Sequence, residues 1–440
     1  MSETGPEYLD CAVLRIEPTG PVQGSLAAPP SKSVTNRLLV ISALAEGTSI
    51  LERPLLSDDT AAMATALRSF GIPVELTEAA AVVSGRGGTI EAPEGPVEAG
   101  LSGTTLRFLA AVALLAHGTV ELDGEPPLRR RPLGGLVDAL VTAGARVRSA
   151  GGHAPVVIES SGLAGGRIVV DAGASSQFAT ALLLVAPYAG KDTELVVEHL
   201  GAGGYVDLTV EHMRRSGAGV GRPAADIFAI AAGRHYRARD ETVEYDASAA
   251  AHLFAVAVAA GGAVTVDNAT PTLQPDSAVT ALFAAMGAEV SLGSGGATTV
   301  RRDGPLLPVT ADLSGMPDQL PTVAALAALA PGVSRLSGLA VARGHETDRV
   351  AAVAAELTKL GADVEAGEDH LEVRGGRPLH GGVVDTYEDH RMAMAFAALA
   401  TAVPGVSIAS PGCVAKTYPR WWADLKALGV RVEAGPDPAG

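Results

Sequence analysis

Glycine recurs in this chain about every 72 residues, and that period constrains the fold more than any other feature. Gly47, Gly118, Gly190, Gly262, Gly332 and Gly405 are separated by 71, 72, 72, 70 and 73 residues. Ahead of each lies a stretch of one design, seen best over Pro30–Gly47. It opens with Ser31, Lys32, Ser33, Asn36 and Arg37, then turns apolar with Leu38, Ile41 and Ala45 on one face, so a helix ending at Gly47 is expected. A second series has the same period. Gly71, Gly144, Gly217, Gly287, Gly361 and Gly429 each precede a short strand-like run such as GAEV or GADV. In five of these six, apolar residues stand eight, four and one positions earlier, as with Met63, Leu67 and Phe70 before Gly71 and Val353, Leu357 and Leu360 before Gly361. Two independent markers at one period mean six copies of one supersecondary unit.

A chain of 440 residues has ample core for two or three domains. With 47% apolar and 19% charged residues it is not a disordered chain. Six apolar segments raise a six-helix membrane protein as a rival, but each uninterrupted run is near 15 residues and several carry His or Pro, as in AAAHLFAVAVAAGG. A span needs about 20. The acidic, polar start MSETGPEYLD is not a secretory signal. Cys11 and Cys413 offer neither a disulfide framework nor a metal cluster, so a reduced, cytoplasmic setting is expected. The formal charge of −16 argues against nucleic acid. It still permits small anions, because a few cations focused in a cleft hold an anion against an opposite net charge.

Taken in order, residues 1–8 and 434–440 read as loose ends and 12–18 as a strand. Pro29 and Pro30 break the pattern as a linker. Each repeat then reads as a helix, a strand such as TSILERPL, a second helix and a strand pair. Asp58 and Asp59 open the second helix of the first copy, where capping is the simpler reading than catalysis. No such unit buries a core alone. Three plus three in two similar lobes, divided near residue 244, is the simplest arrangement.

The starts of the first helices hold the candidate chemistry. The first three carry Lys32, Ser33 and Arg37; Ser102, Gly103, Thr104 and Arg107; and Ser175, Ser176 and Gln177. The last three carry Asp246 and Ser248; Asp312 and Asp318; and Asp389, His390 and Arg391. Helix N-termini present free N–H groups and a partial positive charge, and small or hydroxyl residues there let a phosphate or carboxylate approach. Ordinary capping explains any one of them. It does not explain Lys32, Arg37, Arg107 and Arg391 at equivalent places among alanines and leucines. In the loops, Arg129, Arg130 and Arg131 form a basic run for which a solvated surface is the alternative. ARGHETDR gathers His345, Glu346, Asp348 and Arg349, although i,i+3 pairing on a helix could account for Glu346 and Arg349. CVAKTYPRWW places Lys416 before a helix starting around Pro419, with Trp421 and Trp422 read as core. There is no P-loop, GxGxxG fingerprint or zinc pattern.

Together PPSKSVTNR, GLSGTTLRF, GEPPLRRRP, ASSQFATALL, YDASAAAHLF, GHETDR, YEDHRMAM and CVAKTYP resemble the 5-enolpyruvylshikimate-3-phosphate synthase family, the 3-phosphoshikimate 1-carboxyvinyltransferases. The likeness runs from about residue 12 to 432 with the motifs in family order. It implies an α/β fold, a two-lobed inside-out α/β barrel of six βαβαββ repeats, three per domain. Residues 30–244 would form one domain and 1–29 with 245–440 the other, with crossings near Pro30 and Glu244 and the active site in the cleft. The implied reaction moves the enolpyruvyl group of phosphoenolpyruvate to the 5-hydroxyl of shikimate 3-phosphate and releases phosphate.

By the family's pattern Lys32, Ser33, Arg37, Ser175, Ser176, Gln177, Tyr205, Asp318 and His345 would hold shikimate 3-phosphate. Lys32, Gly103, Arg131, Gln177, Arg349, Arg391 and Lys416 would hold phosphoenolpyruvate. Asp318 would be the base on the attacking hydroxyl, Glu346 would move protons at the methylene carbon, and Lys32 would assist proton transfer to the leaving phosphate. The resemblance implies no metal or organic cofactor, and a monomer without nucleic-acid or membrane partners. A ligand drawing on both lobes would close them by bending at the two crossings.

Leu101, Phe108, Ala202, Val341 and His345 depart from the pattern, which often has Asn, Pro, Ser, Asn and Lys there. Ala202 and Val341 each remove a polar contact, worth about 0.5–1.5 kcal/mol. The nearest rival is the sister UDP-N-acetylglucosamine 1-carboxyvinyltransferase, whose second-repeat loop typically carries a Cys that Asp123–Gly134 lacks. A non-catalytic binder of phosphorylated metabolites is the other rival, and Lys32, Asp318, Glu346 and Lys416 argue against it.

Overall fold

The second glycine series is the C-terminal signal of six outer helices. Gly71, Gly144, Gly217, Gly287, Gly361 and Gly429 all have φ between 76° and 106°, a backbone region that a side chain disfavours. Each stands two residues past the last residue of its helix and makes the same pair of bonds. In the first copy, Gly71 N–H donates to the Arg68 carbonyl and Ile72 N–H to that of Leu67; in the last, Gly429 donates to Lys426 and Val430 to Leu425. The apolar residue four positions before each glycine, such as Leu67 or Leu357, is the buried partner of this cap.

The computed structural model describes residues 8–293 and 295–435. These contain six four-stranded sheets, one per repeat. In the third repeat Gly166–Asp171 runs parallel to Thr193–Glu198, which is antiparallel to Ile227–Ile230, and Val220–Ala224 completes the edge. The parallel step requires a crossover, and the helix Gln177–Val185 supplies it. The second and fifth repeats are likewise continuous in sequence, whereas three sheets are closed by distant chain. Glu241–Thr242 is the first strand of repeat one, beside Glu46–Glu52. Val22–Leu26 is the first strand of repeat four, parallel to Gly262–Val266. Val13–Glu17 lies between Val406–Ala409 and Arg431–Ala434 and is the last strand of repeat six. Each repeat is therefore a complete βαβαββ unit.

Backbone packing divides the chain into two compact units: Pro30–Glu244, inserted in the chain, and a terminal unit of Met1–Pro29 with Tyr245–Gly440. Each has its own core, built around three first helices. These are Lys32–Leu44, Gly103–Val112 and Gln177–Val185 in the inserted unit, and Ala247–Ala260, Leu320–Leu329 and His390–Ala400 in the terminal one. Every residue of Gly103–Val112 and of His390–Ala400 is buried, which explains why the sequence beyond Arg107 and Arg391 is apolar all round. The second helices are amphipathic: Asp58–Ser69 buries Met63, Ala64 and Leu67 and exposes Asp58. Helices lie inside while sheets and amphipathic helices cover them. This is the inside-out α/β architecture, and no helix among the described residues is long and apolar enough to cross a membrane.

Three local expectations are corrected. The first helix ends at Leu44, and Gly47 is already the second residue of a strand. Gly118, Gly262 and Gly332 likewise open strands, because the core helix passes into its sheet with almost no connection. Tyr8 and Ala434 are tied down: the Tyr8 hydroxyl donates to Val432 O at 3.3 Å, Lys426 Nζ sits 4.9 Å over its ring, and Ala434 pairs with Leu14. The rest of the presumed loose ends, 1–7 and 436–440, lies outside the described residues. The helix after Lys416 begins at Trp421 rather than near Pro419, and Trp421 and Trp422 are core.

Candidate active site

In the inserted unit the candidate residues gather at the N-terminal ends of the three core helices. Ser31 and Ser102 cap two of them, accepting from Val34 N and Thr105 N, so capping falls to the serines and the neighbouring cations serve another purpose. Arg37 is buried one turn in. Its Nε donates to Thr209 Oγ1 at 2.8 Å, and its terminal nitrogens donate to Ser33 O at 2.8 Å and Tyr205 O at 3.1 Å. The rings of Phe108 and Tyr205 lie 5.7 and 5.8 Å from its guanidinium carbon. Phe108, a departure from the family pattern, thus supplies an aromatic face to the cation. Burial among neutral partners lowers the Arg37 pKa to about 10, although the Tyr205 hydroxyl acts in the opposite sense.

Arg107 donates to Gln177 Oε1 at 2.8 Å and to Ser175 Oγ at 3.4 Å, linking the second and third helix starts. Ser176 stands at the cap position of the third helix, whose first N–H, that of Gln177, reaches Ser175 Oγ at 3.3 Å. Arg131 lies against Gly103, where a Cβ would fall 2.7 Å from a guanidinium nitrogen, so glycine leaves room for the cation in this position over the helix end. The basic run itself divides. Arg129 is locked bidentate onto Asp123 at 2.9 and 2.7 Å and Arg130 is exposed, which leaves Arg131 at the site.

Sequence reasoning assigned Asp59 to a helix cap, and the structure corrects this. Ser57 and Thr60 cap that helix, while buried Asp59 holds Lys32 Nζ at 3.2 Å. Asp58, its neighbour, is exposed, so the pair of acids carries no local signal of which one turns inward.

In the terminal unit the hub is Arg349, whose side chain is 1% exposed. It donates to Asp389 at 2.7 and 3.2 Å, to Asp318 Oδ1 at 2.6 Å and to Glu346 Oε2 at 2.8 Å. Arg391 pairs with Asp318 Oδ2 at 2.7 Å, and Lys416, from the turn Pro411–Lys416, pairs with Glu346 Oε1 at 3.1 Å. The Glu346–Arg349 pair is not formed on a helix: Asp348 caps the helix that begins at Arg349, accepting from Ala351 N at 3.0 Å. His345 Nδ1 lies 2.8 Å from an Arg349 nitrogen and so accepts from it, which the ammonium of a lysine could not do. Asp246 is the cap of its own helix. Asp312 is exposed at a strand end, bonds to Ser314 N and takes no part in the cluster.

Burial opposes the charge of Asp318, but the Arg391 and Arg349 guanidiniums prevail and hold its carboxyl far below the usual range. Behind it lies an acid that the sequence reading missed. Asp276 is fully buried, accepts from Ser248 Oγ and from Gln319 Nε2 at 2.9 Å, and is pushed up by burial and by the Asp318 charge. His252, also fully buried and bonded to Thr322, is held well below its ordinary value by burial and by Arg391 and Arg349, so it is neutral near pH 7.

Carboxylates, guanidiniums and an ammonium at helix starts suit acid–base work on an anionic substrate, and comparisons with known proteins agree. The model of the family described as EPSP synthase (3-phosphoshikimate 1-carboxyvinyltransferase) matches residues 16–425. A 3-phosphoshikimate 1-carboxyvinyltransferase of Methanoculleus marisnigri is 42% identical over 95% of this chain and 100% of its own length. That of Nostoc punctiforme is 40% identical over 91% of this chain and 95% of its own length. In fold, the EPSP synthase of Acinetobacter baumannii superposes with a TM-score of 0.79 at 24% identity, covering 96% of this chain and 99% of that one. The chain belongs to the EPSP synthase family.

Proposed function

We propose that this chain transfers the enolpyruvyl group of phosphoenolpyruvate to the 5-hydroxyl of shikimate 3-phosphate, with release of phosphate. The observation that carries the reading is the meeting of Asp318 and Glu346 with Arg349, Arg391 and Lys416 in the terminal unit. Asp318 takes the proton of the attacking hydroxyl as it adds to the enol carbon. Glu346 delivers a proton to the methylene carbon in that step and removes one as phosphate leaves, and Lys32 passes a proton toward the departing phosphate. Arg37, Ser33, Ser175, Ser176, Gln177 and Tyr205 hold shikimate 3-phosphate, with His345 as a further polar contact. Lys32, Gly103, Arg131, Gln177, Arg349, Arg391 and Lys416 serve as the contacts of phosphoenolpyruvate.

The pairing of Asp318 with Arg349 and Arg391 makes it a poor base until a ligand arrives. A substrate carboxylate shared by the two guanidiniums withdraws part of their field, and the basicity of Asp318 rises once the donor is bound. The reading is completed by a cytoplasmic monomer. Phosphate release from phosphoenolpyruvate tests the function, with shikimate 3-phosphate and UDP-N-acetylglucosamine compared as acceptors. Release with the first alone is expected; release with the second alone overturns the reading.

A further inference from the structure

Glu356 has no place in the chemistry above, yet its carboxylate is buried, with the residue 1% exposed. A buried carboxylate is unfavourable unless hydrogen-bonded. This one accepts from Lys359 Nζ at 2.5 Å, Asp385 N at 3.0 Å and the Tyr387 hydroxyl at 2.9 Å. Two of these three donors belong to the segment leading into Asp389, the cap of the core helix His390–Ala400. In that segment Tyr387 and Glu388 have φ of 52° and 57°, two consecutive non-glycine residues in the left-handed region. Such a pair persists only where its surroundings over-determine it. Thr386 Oγ1 bonded to Ala409 O at 3.1 Å, and Asp389 N bonded to Thr386 O at 2.8 Å, supply part of that restraint.

Glu356 and Arg349 lie on one helix, Arg349–Lys359, about two turns apart and so on one face. That helix therefore grips the segment twice, with Arg349 on the Asp389 carboxylate and Glu356 on residues 385 and 387. The segment ends at Arg391, whose guanidinium meets Asp318. We propose that Glu356 is a positioning residue for enolpyruvyl transfer. By holding the left-handed pair Tyr387 and Glu388, it sets Asp389 and Arg391 against Arg349 and Asp318. Its effect on substrate rests on the reading of Arg391 as a contact of phosphoenolpyruvate.

The test compares Glu356→Ala, Glu356→Gln, Tyr387→Phe and Lys359→Ala by steady-state kinetics and by amide hydrogen exchange over residues 385–391. Losing two loop bonds should raise KM for phosphoenolpyruvate roughly tenfold in Glu356→Ala and leave KM for shikimate 3-phosphate unchanged. Glu356→Gln and Tyr387→Phe should fall between it and the parent, and Lys359→Ala should behave as the parent. Exchange at 385–391 should quicken in step. Faster local exchange with an unaltered KM for phosphoenolpyruvate upholds the grip and counts against the reading of Arg391. Unchanged exchange and kinetics, or both KM values rising together with exchange quickened throughout the unit, overturn the proposal. Should Glu356→Ala fail to fold, parental behaviour of both Glu356→Gln and Tyr387→Phe overturns it instead.

Discussion

The two units build their helix ends from one backbone plan but surround their central arginines differently, although Lys32 of the inserted unit also meets a carboxylate, that of Asp59. In the inserted unit the buried cation Arg37 is held by a hydroxyl, two carbonyl oxygens and two aromatic faces. In the terminal unit Arg349, Arg391 and Lys416 each meet a carboxylate. Arg37 thus keeps a charge that no carboxylate among these partners neutralises, at the expense of a depressed pKa. The terminal cluster neutralises itself, and its acids are available for proton transfer only as a ligand displaces them from their partners. One repeat thus carries two side-chain sets, which the proposed function reads as a phosphate holder and an acid–base device.

That contrast can be broken most directly by removing one cation from each unit. Arg349→Ala strands Asp389, Asp318 and Glu346 without their shared partner, and loss of one member of a buried ion pair costs about 3–5 kcal/mol. Arg37→Ala leaves only neutral acceptors, so denaturant unfolding should show a loss of about 1–3 kcal/mol. Equal losses would erase the distinction. Next in size is Asp318→Asn, which should bind both substrates yet turn over roughly 100-fold more slowly or worse, the weight of a general base. Near-parental turnover would remove Asp318 from the chemistry.

A titration sharpens the same contrast. The folded pKa of Asp318 lies below its unfolded value of about 3.9, so its contribution to stability is complete above that value and is lost progressively as the pH falls from there through the folded pKa. Asp318→Asn should therefore flatten the acid limb of unfolding free energy against pH. Arg37 is protonated in both states below about pH 10 and makes no contribution to that limb. The smallest effect belongs to the cysteines. Burial, chiefly, pushes the Cys413 thiol up to about 12, leaving no thiolate at neutral pH. Replacing Cys11 and Cys413 by serine or alanine should keep turnover within about twofold, and loss in a folded double variant would point to a covalent thiol.

What was legible in the sequence follows the range of each interaction. Gly71 and its five counterparts were readable because a left-handed backbone and its capping apolar partner lie within five residues. The pairing of Glu241–Thr242 with Glu46–Glu52 was not, since a two-residue strand closing a sheet across the inserted unit has no local signature. The acids were ambiguous for a related reason. Asp58, Asp59, Asp312 and Asp389 all look like helix or turn formers, yet the structure turns Asp59 toward Lys32 and Asp389 toward Arg349. Glu356 sits in an ordinary-looking helix, and its importance lies in a segment 29 residues further on.

The strand exchange in the terminal unit also sets a timetable for synthesis. Val22–Leu26 is made before the inserted unit, but its partner Gly262–Val266 comes after it. At roughly 5–20 residues per second the early strand waits tens of seconds, and Val13–Glu17 waits longer still for Val406–Ala409. Meanwhile Pro30–Glu244, whose sheets all close within itself, can complete its core. The waiting segment reads VQGSL, with a glycine and two polar residues among its five, a composition that resists pairing with another nascent chain.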